Sequence, residues 1–141
     1  MGKINLGRVI LGGIVAGIVV DAFEYVLNGI CLANDWTSLM SSIDRPALSM
    51  NGIMWFNVMG FVLGFTAVWI YAAIRPRFGA GVKTAIYAAL AVWFVGYVAA
   101  DATPAIMGVF PMDLYYKLVG VGLVEIIVAT IAGAFLYKEA A

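Results

Sequence analysis

The stretch from Val9 to Ile30, VILGGIVAGIVVDAFEYVLNGI, decides the fold. It has the length of a membrane-crossing helix, which needs about 20 predominantly apolar residues. Asp21 and Glu24 nevertheless sit inside it. A carboxylate at membrane depth costs roughly 2.5–3.5 kcal/mol on the insertion scale, so the pair demands protonation, partners or a water-filled cavity. This run is therefore both the first span and the first candidate site.

Three further runs repeat the pattern. The spans are expected at about 9–30, 52–74, 82–100 and 114–137, within a single integral membrane domain covering 1–141. Arg75-Pro76-Arg77 is read as the end of the second span and Asp101-Ala-Thr-Pro104 as the end of the third. Between the first two lies LANDWTSLMSSIDRPALSMN, in which Trp36, Leu39, Met40 and Ile43 recur at helical spacing. The spacing predicts a short interfacial helix from Asp35 to about Ile43, capped by Asn34 and anchored by Trp36, with a turn at Asp44-Arg45-Pro46. The fold class is all-α: a polytopic membrane protein built as a four-transmembrane-helix bundle.

Composition agrees, since 65% of the 141 residues are hydrophobic and only 11% charged, far from the balance of an ordinary soluble domain. Net charge is zero and the basic residues are scattered at segment ends, which argues against nucleic acid as a partner and against a polybasic lipid anchor. The absence of histidine removes the commonest haem and metal ligand and the near-neutral proton shuttle. Cys31 is the single cysteine and forms no internal disulfide. The N-terminal run is too long for a secretory signal and lacks a clean small-x-small cleavage site, so it is read as a retained span.

Lys3, Arg8, Arg75, Arg77, Lys83 and Lys138 fall on one side of a four-span chain, leaving Arg45 and Lys117 opposite. The positive-inside rule then places both termini in the cytoplasm, and a bacterial cytoplasmic membrane is the expected location. Gly13 and Gly17 in the first span, Gly60 and Gly64 in the second and Gly122 in the fourth are expected to let helix backbones approach, because in lipid the association of helices rests on close packing.

Polar residues collect in the outer half. Asp21, Glu24 and Asn28 share a stripe of the first helix with Gly17; Glu125 shares one of the fourth with Gly122, Ala129 and Ala132; Asn57 and Asp101 lie at comparable depth. The expected arrangement is a polar cluster of Asp21, Glu24, Asn28, Asn57, Asp101 and Glu125, open outward and closed toward the cytoplasm. Such a cluster either fixes helix register through hydrogen bonds or binds a proton, a metal cation or an organic cation. Lys117 is placed to pair with Asp113 at i,i+4. Met40, Met50, Met54, Met59, Met107 and Met112 also map to the outer half with Cys31; thioether and thiol ligands suit Cu(I), but methionine more commonly fills irregular gaps, so metal ligation stays open and no cofactor is expected. Diiron Glu-x-x-His pairs, zinc hydrolase motifs and a nucleophile elbow are absent, and no enzyme is expected.

The opening INLGRVILGGIVAGIVVDAFEYVLNGICLANDW, with its glycine-rich helix, an acid followed by an aromatic, then Asn28-Gly29 and Trp36, resembles the uncharacterised small four-transmembrane-helix membrane proteins found in many bacteria. The resemblance covers the first span and its following loop and implies the fold without an activity. Small multidrug exporters share the helix count and a membrane glutamate, but Asp21 and Glu125 break their pattern, so that likeness is analogy. The leading expectation is a non-enzymatic accessory or scaffold subunit that packs, within the lipid bilayer, against itself as a homo-oligomer or against a larger membrane complex. The alternative is a small cation- or proton-coupled transporter or channel using Asp21, Glu24 and Glu125.

Overall fold

The computed structural model describes residues 3–139, so the outermost positions of the expected domain, 1–2 and 140–141, lie outside the described residues. It is all-helical: α1 (Leu6–Cys31), α2 (Ala33–Ser42), α3 (Met50–Phe78), α4 (Val82–Ile106) and α5 (Met112–Phe135). All but α2 are long and apolar enough to cross a membrane, and the chain is an integral membrane protein.

Local chemistry explains most helix ends. Asn5 accepts from the Arg8 amide at 3.2 Å and caps α1, and Ser49 accepts from Gly52 at 3.2 Å and caps α3. In both cases a side-chain oxygen satisfies an amide that the first turn leaves without a partner. Gly79, at φ 85°, ends α3, its amide donating to the Arg75 carbonyl at 2.8 Å; that left-handed conformation is one glycine adopts without strain.

Two of the expected span ends are corrected. Helix α3 runs past Arg75-Pro76-Arg77 to Phe78, and α4 runs past Asp101 and Pro104 to Ile106. A proline already holds the helical φ, and so near a C-terminus it removes only one ladder bond. Asn34 is not the cap of α2 either: the helix starts at Ala33 with Leu32 as its N-cap and no side-chain capping bond. The turn after α2 falls as expected, with Asp44 in the left-handed region at φ 58°.

Helix α1 packs on α3 and α5, α4 packs on the same two, and α3 and α5 also meet across the middle. Successive spans are antiparallel neighbours, an up-down-up-down bundle. Asn5 N donates to Tyr137 Oη at 3.3 Å and Gly81 N to Tyr71 Oη at 3.2 Å, so both ends of the described chain and the α3–α4 turn share what we call the terminal end. Helix α2 covers the distal end.

The two halves are packed differently. In the terminal half the helices meet at glycine. A methyl group built on Gly64 would lie 2.9 Å from the Ala16 carbonyl carbon and the Gly13 oxygen and closer still to the Gly17 amide; one built on Gly12 would lie 2.5 Å from the Gly133 oxygen. Phe65 covers Gly13 and Phe61 covers Gly17, and in the distal half of α5 the Tyr97 ring covers Gly122. The five expected glycines are thus all at helix contacts, with Gly12 and Gly133 added. Around them Ala16, Val20, Ala67, Val68, Ala88, Ile126 and Ala129 are fully buried. A smaller distal cluster of Leu27, Leu32, Leu39, Leu114 and Leu118 seats α2 over α1 and α5. By contrast, from Met50 to Met59 on α3 every residue except Gly52 is exposed, so that part of α3 stands clear of the bundle.

Candidate functional site

Two of the spans change their winding at the level of the acids. Tyr25–Cys31 of α1 and Phe94–Ala99 of α4 are π-helical, and Leu32 N closes the first by donating to the carbonyl of Leu27, five residues back, at 2.8 Å. Such wider turns are rare and are frequently found at functional sites. Here one begins directly after Glu24, while the other contains Tyr97 and ends just before Asp101.

Glu125 is the centre. It is fully buried on α5 (0% exposed), and Tyr97 Oη donates to its Oε1 at 2.6 Å. Its Oε2 is also buried and has no donor among the described residues. The Glu24 carboxyl lies within hydrogen-bonding reach of the Glu125 carboxyl. On its other side Glu24 Oε2 accepts from Asn28 Nδ2, and Trp36 Nε1 of α2 donates to Asn28 Oδ1 at 2.8 Å. Because an indole N–H only donates, it fixes the Asn28 amide with its oxygen toward Trp36 and its nitrogen toward Glu24. Trp36 also meets Phe110 edge-on, ring centroids 5.7 Å apart. A continuous polar chain therefore runs from α2 through α1 to α5 and α4.

Asp21 is half-buried, its carboxyl lying over Gly60, where only a residue without a side chain leaves room for it. Asp101 is half-buried too and close enough for its charge to act on Glu24. Structure and sequence disagree over Asn57: it is exposed on the free part of α3, and its Nδ2 donates back to the Ile53 carbonyl at 3.1 Å. The helical wheel puts it on the right side, but α3 has already left the bundle there. Tyr97 is the residue sequence reading missed. Its only signal was a tyrosine inside an apolar run at the depth of the acids.

The ion pairs lie elsewhere. Lys117 Nζ pairs with Asp35 at 3.2 Å and with Asp113 at 3.4 Å, the second as expected at i,i+4. At the terminal end Arg75 pairs with Glu139 at 3.4 Å and lies over the Tyr137 ring, 5.5 Å from its centroid. No ion pair reaches Asp21, Glu24, Asp101 or Glu125 among the described residues. Nor do any three His, Cys, Asp or Glu side chains there stand close enough to hold a metal ion. Two surface clefts, of about 240 Å³ beside Ser38 and Pro111 and about 430 Å³ beside Thr37 and Arg45, flank α2 and do not reach Glu125.

The fold and site together define a four-span helical membrane protein with an acidic, hydrogen-bonded cluster between its helices. Comparison with protein-family models, with curated proteins and with solved structures found no match.

Proposed function

We propose that the chain is a non-enzymatic accessory or scaffold subunit that packs against a second copy or a larger membrane complex, in a bacterial cytoplasmic membrane with both termini inside. The observation that carries this is the free part of α3. Trp55, Phe56, Met54 and Met59 are exposed there, whereas the same helix is packed at glycine contacts from Gly60 onward. Contact between helices in lipid comes from close packing and polar bonds, and among the described residues no other helix supplies either to most of residues 50–59. Orientation follows from the six basic residues of the terminal end against Arg45 and Lys117 of the distal end. The test is site-specific photocross-linking in native membranes from Phe56 and Met59, with Ile10 and Phe135 as controls. Protein adducts from the first pair alone support the reading; lipid adducts alone from every position overturn it.

A second reading, a small transporter or channel for protons or cations, is favoured by Glu125 Oε2, a buried acceptor without a donor. Intramembrane acids of this kind commonly mark ion pathways. It expects proton or cation flux in proteoliposomes that Glu24→Gln and Glu125→Gln abolish while the fold persists. Absence of flux from the parent protein would remove it, and flux that survives both substitutions would move its site elsewhere.

A further inference from the structure

The polar chain ends on a buried oxygen, Glu125 Oε2, that has no donor among the described residues unless the neighbouring Glu24 carboxyl carries a proton. Glu125 is fully buried, Tyr97 bonds one of its oxygens, and Oε2 has no donor although the Glu24 carboxyl is within reach. Ionised carboxylates only accept, so two of them cannot bond to each other; one proton between them satisfies both. The titratable groups close enough to act on the pair are Asp21 on α1 and Tyr97 and Asp101 on α4, together with the partner glutamate in each case; α3 carries no charged side chain at this level, and its Gly60 lies against Asp21. No cation of the described chain pairs with these acids, Lys117 being held by Asp35 and Asp113. Ionising both would set two carboxylates side by side, one of them fully buried, with no cation to offset either. A metal ion would need more ligands than stand together here, whereas a proton needs two oxygens.

We propose that Glu24 and Glu125 form a binding site for a single proton, held between their carboxyl groups and linked to α2 through Asn28 and Trp36. Glu24, the partly exposed member of the pair, is where the proton exchanges with water. One O–H bond breaks as another forms, and no electrons move. Once it has gone, two facing carboxylates repel, and the shift of the Glu24 side chain is passed through the Asn28 amide to the Trp36 indole. The inference rests on the second reading's carboxyl cluster and names its cation.

The experiment is infrared difference spectroscopy of the full chain in lipid nanodiscs, following the protonated-carboxyl stretch through a pH titration together with Trp36 fluorescence, assigned by Trp36→Phe. One protonated carboxyl per chain is expected, lost in a single step as the pH is raised, with a coincident fluorescence change, and lost outright in Glu24→Gln and in Glu125→Gln, where an amide replaces the shared proton. A band that survives both substitutions, two carboxyls that titrate independently, or no protonated carboxyl at all overturns the proposal. So does a band removed at constant pH by sodium, potassium or magnesium, which would make the ligand a metal ion. Should a variant fail to fold, the proton count of the parent protein decides alone. A band without flux leaves the proton site standing and removes transport; flux without the band does the reverse.

Discussion

The terminal and distal halves of this bundle are made from the same four helices and obey opposite rules. In the terminal half glycine and alanine bring backbones together, so that Gly12 meets Gly133 and Gly64 meets Gly17 with no room for a methyl group. In the distal half α1, α4 and α5 carry carboxyls, α1 and α4 wind as π-helices, and residues 50–59 of α3 stand nearly all exposed. What separates them is Asp21 over Gly60, the last point at which α1 and α3 are close enough for a missing side chain to matter. Small residues provide rigidity at one end, and at the other a few hydrogen bonds hold polar groups in place.

Breaking the terminal half should have the largest effect. A Cβ at Gly64 meets backbone atoms of α1, which cannot rotate aside as a side-chain tip can. Gly64→Leu should therefore exceed the usual overpacking cost of about 1–3 kcal/mol, seen as a large drop in melting temperature in detergent. Ala73→Leu, on an exposed position of the same helix, should melt like the parent. Equal behaviour of the two variants would show that the helices do not meet at glycine.

Next comes the polar chain. Tyr97→Phe removes the donor to Glu125 Oε1 and leaves a buried acceptor unpaired, a change worth about 1–3 kcal/mol. In a Glu125→Gln background the same substitution should cost less, because a neutral amide oxygen is a weaker acceptor for the Tyr97 hydroxyl than a carboxylate. A double-mutant cycle by chemical denaturation measures this, and additive effects would mean that the two side chains do not share a bond.

Smaller and more local is Trp36→Phe, which retains an aromatic ring against Phe110 but loses the bond to Asn28. A cost of about 1 kcal/mol is expected. Hydrogen exchange should quicken in α2 and in the Tyr25–Cys31 turn without changing in the terminal half. Faster exchange throughout would mean that the halves are one cooperative unit.

The same division explains what could be read from the sequence. Helix number, the interfacial helix and the glycine contacts follow from composition and spacing within a segment, and Gly13, Gly17, Gly60, Gly64 and Gly122 all landed at contacts. So did the meeting of Glu24 with Glu125, because carboxyls on two apolar helices have few other places to go. The π-helical turns were invisible: a change from four- to five-residue bonding leaves no mark in composition, and Gly29 and Gly96 are weak hints. Yet those turns set which way Asn28 and Tyr97 point. Gly12 was missed for a different reason, since only its partner Gly133, more than a hundred residues away, makes it a contact.

Asn57 offers the smallest effect and the sharpest distinction. Its amide donates to the Ile53 carbonyl of its own helix and touches no other polar side chain among the hydrogen bonds of the described residues. In the isolated protein Asn57→Leu should fall within about 0.5 kcal/mol of the parent, as exposed substitutions away from special features do. If residues 50–59 meet only lipid, an apolar side chain there is as good as or better than an amide, and the variant should behave as the parent in native membranes as well. If a partner helix packs on this part of α3, the amide is available to turn outward and bond across the contact, where such bonds are worth about 0.6–2 kcal/mol. The photocross-links from Phe56 and Met59 should then weaken with the isolated fold untouched. Unchanged cross-linking beside unchanged stability would show that Asn57 takes no part in the contact, and would confine the contact to the aromatic and methionine side chains around it.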